Sequence, residues 1–318
     1  MRRILSVVIV ALFLVTAFSA WAGGGGEGEE QLHIGVAASM FDDKWMSYMN
    51  EGMSIAGEKL GVRLTMVDGR NDPSVQQSQV ETLITQGVDA IVIVPVVVSV
   101  LDPVLAATEA AEIPVVAANR IPPEPNLSRL ATYVGSDEYV AGTMQAEKIA
   151  DLLGGKGNVV ILHGELGHPA EIGRTQGNKD VLAKYSDIKI VREDTGTWQR
   201  ALGLQIMENW IQANVQMDAV FANNDEMAIG AAMALEQVGM LDRVLVAGVD
   251  ATPDALMLMK EGKLDVTVFQ DAYTQGYEAV AAAIEAAKGE DLPKITDIPY
   301  KVVTPENVDE YLALWGIE

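Results

Sequence analysis

The chain has 318 residues, of which 49% are hydrophobic and 21% charged, so it is long enough for two packed lobes and is not disordered over most of its length. Its formal net charge is -23, and such a surface repels phosphate backbones and anionic membranes, which makes nucleic acid a poor partner. It contains no cysteine, which excludes a disulfide framework, a thiolate nucleophile, a cysteine-ligated metal and a cysteine-linked lipid anchor.

Residues 1–22 have the pattern of a cleaved secretory signal. Arg2 and Arg3 precede an apolar run over residues 4–18, and Ala20-Trp21-Ala22 fits a cleavage site. An uncleaved membrane anchor is the alternative, for which the apolar run is slightly short. Residues 23–31, rich in glycine and glutamate, are predicted to be a flexible tether. We therefore expect a periplasmic protein without a lipid anchor.

From residue 32, apolar runs of strand length alternate with amphipathic segments of helix length. The predicted strands are 33–37, 63–67, 90–94, 115–118 and 132–134, and the helices between them are 44–60, 74–86 and 100–111. Short crossovers of this kind produce a parallel sheet with right-handed connections. A first lobe is complete by Gly135.

The alternation restarts after a predicted helix over residues 137–153. The second set has strands at 158–162, 189–192, 219–222, 244–248 and 266–269, and helices at 169–184, 199–213, 226–238 and 253–261. A helix at 274–287, an irregular stretch at 292–300, a strand at 301–303 and a helix at 305–314 complete the chain. Two such sets predict an α/β fold of two similar lobes that face one cleft.

Ligands of open parallel sheets bind beyond the carboxyl ends of the strands, and polar and aromatic residues collect there. They are Asp42, Asp43, Trp45, Asn119, Arg120, His168, Arg174, Trp198, Asn223, Asn224, Asp225, Asp250, Gln270 and Asp271. Carboxylates and amides hydrogen-bond to hydroxyls, and indoles cover the C–H faces of a sugar ring. This mixture of side chains favours an uncharged polyol as the ligand.

Several of these residues also have a purely structural interpretation. Asp225 and Asn223 could cap the helix that follows them, and Trp45 could belong to the core. Asp42 and Asp43 are redundant as caps, so one of them is expected to face the cleft. Thr252 directly precedes Pro253 and can cap the helix that follows, so Asp250 is not needed as a cap. For Asp250, ligand contact is the better interpretation.

Pro169 fits the first position of a helix, which places His168 at its cap. Arg174 then lies in the second turn, where the helix dipole does not favour a cation. We therefore expect Arg174 to have a role in a pocket.

Enzymatic patterns are weak in this chain. The three histidines make no metal-spaced pair, and His33 and His163 fall in predicted strands, where packed neutral imidazoles are expected. There is no GxSxG elbow and no GxGxxG after the first strand, and residues 154–157 lack P-loop spacing. The sequence predicts neither catalysis, nor a cofactor, nor a metal.

Seven segments occur in family order over residues 32–277: FDDKWMS, IPVVAAN, GELGHPAEIGRT, DTGTW, FANNDEMAIGA, AGVDATPDAL and VFQDAYTQ. Together they resemble the periplasmic galactose/glucose-binding protein family, within the ribose- and galactose-binding group of type I solute-binding proteins. The resemblance implies two Rossmann-like lobes with three hinge crossings near Ser136, Gln270 and Pro299. The N-terminal lobe would comprise residues 32–136 and 271–299, and the C-terminal lobe residues 137–270 and 300–318.

Carried over from the resemblance, the sugar contacts would be Asp43, Asn119, His168, Arg174, Trp198, Asn224, Asp250 and Gln270, with Trp45 as a stacking ring. Trp45 stands where a phenylalanine is usual, and Gln270 where an asparagine is usual. Ala170 occupies the position of a sugar-binding aspartate. One lost hydrogen bond to a charged group is worth about 1.5–3 kcal/mol, enough to change the preferred sugar. The family's calcium loop is absent, so no calcium is expected.

The resemblance implies a monomeric substrate-binding protein that closes on an aldohexose, glucose or galactose, and delivers it to an ABC permease, sometimes also to a chemoreceptor. Ala170 keeps another monosaccharide open, such as xylose or ribose. A sugar-responsive repressor would need an N-terminal helix-turn-helix where this chain has its predicted signal. A carbohydrate enzyme is the third class considered.

Overall fold

The structure, a computed structural model, describes residues 31–317. The predicted signal at 1–22 and nearly all of the predicted tether lie outside the described residues. The strands are β1 (His33–Ala38), β2 (Arg63–Asp68), β3 (Ala90–Ile93), β4 (Val115–Ala118), β5 (Thr132–Gly135), β6 (Lys156–His163), β7 (Asp187–Thr195), β8 (Ala219–Ala222), β9 (Leu245–Ala247), β10 (Thr267–Phe269), β11 (Ile295–Asp297) and β12 (Lys301–Val303).

The helices are α1 (Lys44–Leu60), α2 (Pro73–Thr85), α3 (Asp102–Ala110), α4 (Asn126–Arg129), α5 (Glu138–Leu152), α6 (Pro169–Leu182), α7 (Arg200–Gln212), α8 (Asp225–Gln237), α9 (Pro253–Lys260), α10 (Ala272–Ala287) and α11 (Val308–Leu314), with short 3-10 turns at Val98–Val100 and Leu241–Arg243. Among residues 31–317, none of these helices is both long and apolar enough to cross a membrane.

Two parallel sheets form the centres of two lobes. The first has the strand order β11-β5-β4-β3-β1-β2, and the second has the order β7-β6-β8-β9. Beside the second sheet, β10 pairs with β12 in the antiparallel sense. The predicted α/β class with two parallel-sheet lobes is confirmed.

Helices cover both faces of each sheet, which explains why the central strands are apolar throughout. In β3, Ala90 and Val92 pack towards α1 and α10, whereas Ile91 and Ile93 pack towards α2 and α3. Successive side chains of a strand point to opposite faces, so a sheet buried on both sides has continuous apolar strands. The second sheet repeats this arrangement, with α5 and α6 on one face and α7, α8, α9 and α11 on the other.

Among the strands, two segments differ most from the sequence prediction. The stretch 292–300, predicted to be irregular, contains β11, which pairs with β5 from Ile295 opposite Tyr133. β11 has only three residues and lies between two prolines, so it is too short to show a periodic pattern in the sequence. The strand predicted at 189–192 is the longer β7, whose exposed outer residues hide its alternation.

The two predicted strand histidines have different surroundings. His33 is buried, and burial, followed by the charge of Arg63, lowers the pKa of its imidazole, which agrees with a neutral ring. In contrast, the His163 Nδ1 and Nε2 each lie 2.9 Å from a carboxylate oxygen, of Glu171 and Glu193 respectively. His163 therefore packs between acidic side chains of α6 and β7, which its position in a strand did not predict.

The chain passes between the two sheets three times. It leaves the first sheet after Gly135, returns after Phe269, and leaves it again after Asp297. We call the connecting stretches 136–138, 270–271 and 298–300 the first, second and third crossings. The lobe limits given above stay a prediction of which residues move together.

Candidate functional site

A cavity lies between the two lobes, at the carboxyl ends of strands from both sheets. Its lining is formed by Asp43, Trp45, Met46, Asn119, Arg120, Glu138, His168, Ala170, Arg174, Trp198, Asn224, Asp250 and Gln270. All nine residues predicted as ligand contacts are among them. The structure therefore brings the predicted set together, while its contact with a ligand stays a prediction.

Asp43 has two roles at the start of α1. Its Oδ1 accepts a hydrogen bond from the Met46 N–H at 2.8 Å and so caps the helix, while the residue lines the cavity. Burial raises the pKa of Asp43, against the opposing effects of the Met46 N–H and of Arg120. Asp42 is exposed. Of the two adjacent aspartates, the second is thus both the cap and the cavity residue.

Trp45 is both a core residue and a cavity residue, the two roles considered for it above. It is 8% exposed, packs in the first-lobe core and also lines the cavity. Within residues 31–317, its buried indole N–H has no hydrogen-bond partner. A buried indole N–H usually finds a partner, so a hydroxyl of a ligand would complete it.

Asn119 and Arg120 follow β4 into the cavity. Asn119 adopts the left-handed conformation, with φ of 62°, which asparagine tolerates better than most residues. Arg120 donates from Nη1 to the carbonyl oxygens of Pro95 and Val96, at 3.0 and 2.9 Å. Its buried Nε–H has no partner within the described chain. Burial lowers the pKa of Arg120, while Asp43 acts in the opposite direction.

His168 and Pro169 begin α6 as the sequence predicts. His168 is the cap, its Nδ1 accepting from the Ala170 N–H at 3.1 Å, and Pro169 takes the first helical position. Burial, then Arg120 and Arg174, lower the pKa of His168 to about 2. The ring is neutral, and because Nδ1 is an acceptor its proton lies on Nε2. His168 therefore offers one N–H donor to its surroundings.

Arg174 is 3% exposed and lies at the centre of the second-lobe side of the cavity. Its Nη1 donates to the carbonyl oxygen of Asn223 at 2.6 Å and lies 3.6 Å from Asp250 Oδ1. Burial alone would lower the pKa of Arg174, but Glu138, Tyr300 and Asp250 offset this and raise it. The guanidinium is charged and almost fully hydrogen-bonded by the protein.

Trp198 is held by a turn of unusual backbone conformation, with φ of 68° at Trp198 itself and 45° at Thr197. Its ring meets the His168 ring edge-on at 5.2 Å and lies 5.9 Å from Arg174 Cζ. The indole also lies directly on Gly164, where an added Cβ would come within 2.0 Å of Trp198 Cη2. Gly164 thus leaves the space that this indole occupies.

Asn224, rather than Asp225 or Asn223, caps α8. Its Oδ1 accepts from the Met227 N–H at 3.0 Å and its Nδ2 donates to the Trp198 carbonyl at 3.1 Å. Asp225 is fully buried and accepts hydrogen bonds from Thr252 and Thr267. Asp225 therefore lies outside the cavity lining and supports the loop that carries Asp250.

Asp250 is a strained and buried carboxylate. It is 4% exposed and has φ of 126°, a region that favours glycine. Burial raises the pKa of Asp250 well above its usual range, Arg174 lowers it, and Asp225 and Asp43 raise it further. Strain and unfavourable burial at one residue are typical of a functional position.

The buried carboxyl group of Asp225 should make the stability of the protein depend on pH. Burial raises its pKa to about 7, so between about pH 4 and 7 the folded chain keeps a proton that the unfolded chain has lost. This contribution to the free energy of unfolding is largest at low pH and is lost as the pH rises to about 7. We expect Asp225→Asn to remove it.

Urea unfolding of the ligand-free protein at several pH values checks this expectation. The free energy of unfolding of Asp225→Asn minus that of wild type should be more than about 1 kcal/mol higher at pH 7.5 than at pH 4.5. Asp242→Asn, at an exposed position, serves as the control and should give a curve parallel to wild type. A parallel curve for Asp225→Asn as well would contradict the prediction.

Four lining residues were not predicted as contacts: Met46, Arg120, Glu138 and Ala170. Arg120 follows the same strand end as Asn119, which was the available signal. Glu138 lies in the first turn of α5, where an acidic residue is ordinary. Ala170 presents a methyl group where the galactose/glucose family has an aspartate.

The Oε1 of Gln270, a predicted contact, accepts a hydrogen bond from Arg174 Nη2 at 3.0 Å. The buried Nε2 of Gln270 has no partner among residues 31–317.

The cavity therefore combines carboxylates, amides, a neutral imidazole donor and two indoles. Over the described part of the chain, no cluster of three or more His, Asp or Glu side chains could hold a metal ion. Among residues 31–317, several buried side-chain N–H groups lack partners, and buried polar groups are normally satisfied. The arrangement can hold a small molecule that carries several hydroxyl groups.

Comparison with known proteins places the chain in a family. Residues 34–291 match the model of the periplasmic binding protein domain. A putative rhizopine-binding protein of Rhizobium meliloti is 42% identical, over 87% of this chain and 92% of its own length. An ABC transporter solute-binding protein from Bacillus halodurans C-125, solved with bound myo-inositol, is 44% identical and superimposes with a TM-score of 0.85. That alignment covers 89% of this chain and 98% of the other.

The galactose/glucose family named above is a more distant match than these two. The D-galactose/methyl-galactoside binding periplasmic protein of Haemophilus influenzae is 31% identical, over 97% of this chain and 98% of its own length. The resemblance thus holds for the wider ribose- and galactose-binding group and is not specific to galactose and glucose. This chain belongs to the periplasmic binding protein domain family.

Proposed function

We propose that the chain is the substrate-binding protein of an ABC-type import system, and that it closes its two lobes around a small neutral polyol. The observation that carries this proposal is the cavity between the lobes. It places two carboxylates, Asp43 and Asp250, and two indoles, Trp45 and Trp198, around one buried space. Indoles suit the C–H faces of a ring, and carboxylates suit its hydroxyl groups.

A cyclitol of the inositol class is the ligand that we favour over the aldohexose predicted from the sequence. The relative at 44% identity was solved with myo-inositol, and the galactose-binding relative is less similar. Ala170 removes one carboxylate that the galactose/glucose family uses. A pentose such as xylose or ribose, the other ligand class left open by the sequence, remains the runner-up.

Arg174 itself has little hydrogen-bonding capacity left for a ligand. A guanidinium has five N–H groups, and four hydrogen bonds to Glu138, Asn223, Gln270 and Tyr300 already use most of them. A ligand hydroxyl on this side of the cavity can instead donate to the carboxylate of Asp250.

In this proposal the ligand contacts are shared between the lobes. Asp43 and Asn119 hold one edge of the ring, and Trp45 covers one face. The other edge is held by His168, Arg174, Asn224, Asp250 and Gln270, and Trp198 covers the second face. The unpaired N–H groups of Trp45 and Gln270 are then satisfied by ligand hydroxyls.

The proposed setting follows from the same function. The protein would be exported to the periplasm by its N-terminal signal, remain free of a lipid anchor, and deliver its ligand to the membrane subunits of a permease as a monomer. Binding rather than catalysis is expected, with no cofactor. A contact with a chemoreceptor stays a prediction from the resemblance.

Calorimetry against a ligand panel tests the proposal. The protein is first unfolded and refolded to remove co-purified ligand, then titrated with myo-inositol, scyllo-inositol, ribose, xylose, glucose and galactose. We expect an inositol to bind most tightly, with a Kd below about 10 µM, or about -7 kcal/mol. Tightest binding of ribose or xylose would support the runner-up, and tightest binding of glucose or galactose the aldohexose. No binding below millimolar concentration for any of the six would contradict the proposed function.

A further inference from the structure

Arg174 contacts all three crossings of the chain between the lobes. Its Nε donates to Glu138 Oε2 at 2.7 Å, on the first crossing. Its Nη2 donates to Gln270 Oε1 at 3.0 Å, on the second crossing, and to Tyr300 Oη at 3.1 Å, on the third. One guanidinium therefore joins three segments that are distant in sequence.

Glu138 also joins the first and third crossings directly. Its Oε2 accepts from the Tyr300 hydroxyl at 2.6 Å in addition to Arg174. Glu138, Tyr300 and Arg174 are 7%, 4% and 3% exposed, so water is largely excluded from this group. Hydrogen bonds between charged groups are stronger in such surroundings, and a partner left unpaired there is costly.

The backbone around this group is arranged for close approach of α5 and α6. A Cβ at Gly173 would lie 2.6 Å from Glu138 Cβ, and one at Gly142 would lie 2.0 Å from the Arg174 carbonyl oxygen. Both glycines therefore leave the room that Glu138 needs to reach Arg174. The contact depends on two positions without a side chain, so it is built into the helix pair rather than fortuitous.

The first lobe has a corresponding chain of hydrogen bonds. Asn119 Nδ2 donates to Gln275 Oε1 at 3.3 Å, and Gln275 Nε2 donates to Ser136 Oγ at 2.9 Å. Ser136 Oγ donates in turn to the Ile298 carbonyl oxygen at 2.6 Å. This chain links a cavity residue of the first lobe to the first and third crossings.

We propose that Glu138 and Tyr300 are positioning residues that, together with Gln270, fasten Arg174 to the second-lobe ends of the three crossings, so that the Arg174–Asp250 side of the cavity is complete only when these ends keep their present arrangement. A change in the relative position of these ends breaks at least one bond of this group. The ligand and the hinge thereby stabilise each other. The part of this inference that concerns the ligand rests on the proposed binding function.

The test uses Glu138→Gln and Tyr300→Phe, each of which keeps the size of the side chain. Tyr139→Phe is the matched control, because it removes a hydroxyl from the same helix that bonds to Asp180 at an exposed position. The natural chain has no cysteine, so exposed Ser78→Cys and Gln176→Cys give one fluorescent label on each lobe. Energy transfer then reports closure, and stopped-flow mixing with the tightest ligand of the panel reports association and dissociation rates.

We expect Glu138→Gln and Tyr300→Phe to shift the ligand-free label distance towards the open state and to speed ligand dissociation at least fivefold, with the control unchanged. A lower melting temperature alone would not produce this pattern. Wild-type label distances and dissociation rates in both variants would overturn the inference. If wild type binds no member of the panel, the proposed function fails, and the ligand-free distances still decide whether the group controls the hinge.

Discussion

Asp250→Asn should weaken binding of the tightest panel ligand at least 100-fold, while the melting temperature of the ligand-free protein stays the same or rises. Hydrogen bonds to a charged group are each worth about 1.5–3 kcal/mol. Two such bonds from ligand hydroxyls to this carboxylate therefore account for about 100-fold or more. The amide keeps the shape of the side chain but accepts through only one oxygen.

The fall in ligand affinity and the unchanged or higher melting temperature expected for Asp250→Asn have the same cause. Burial raises the pKa of Asp250, so ionisation of this carboxylate at neutral pH is unfavourable in the folded, ligand-free protein. A neutral amide removes that penalty, which Arg174, 3.6 Å from Asp250 Oδ1, offsets only in part in wild type. Activity and stability commonly oppose each other in this way at functional sites.

Asp254→Asn provides the matched control for Asp250→Asn. Asp254 lies four residues further on and pairs with Arg200 at 2.7 Å, with 43% of its side chain exposed. Its loss should leave ligand affinity within about twofold of wild type, since exposed ion pairs contribute little. Unchanged affinity in Asp250→Asn, or a fall in its melting temperature large enough to explain weak binding, would contradict the placement of Asp250 in the site.

The fold and most of the cavity could be predicted because local signals agree with the tertiary structure. Strands buried on both faces are apolar throughout, as β3 shows. Pro169 marks the start of α6 and so places His168 and Arg174. Parallel strands end on the same side of a sheet, so polar residues that follow them, such as Asn224 and Asp250 after β8 and β9, converge without any knowledge of the packing.

Residues whose roles depend on distant partners could not be predicted in the same way. Glu138 resembles an ordinary acidic residue in a first helical turn, and Tyr300 follows a proline in a stretch without clear periodicity. Only the packing of α5 on α6 brings Glu138 to Arg174, and only the third crossing brings Tyr300 there. Asp225 could equally have been a cap, and only the packing of α8 against Thr252 and Thr267 shows that it supports the Asp250 loop.

Trp198→Ala and Gly164→Ala should each weaken ligand binding at least tenfold, although only the first removes a proposed contact. At ~25 cal/mol per Å², an indole that covers about 60 Å² of ring C–H surface contributes about 1.5 kcal/mol, which is roughly tenfold. A Cβ added at Gly164 would come within 2.0 Å of the indole. The ring must therefore leave its position, and the same covered surface is lost.

A double-mutant cycle distinguishes this mechanism from general damage. If Gly164 acts only through the indole, adding Gly164→Ala to Trp198→Ala should cause no further loss, because the smaller side chain leaves room for the new methyl group. Additive losses would instead show that residue 164 affects binding by another route. Gly57→Ala is the control, since its Cβ would lie nearest to Leu64, at 3.3 Å, and Leu64 is not part of the cavity lining. Calorimetry of the four proteins of the cycle and the control, each checked by its melting temperature, decides between the two outcomes.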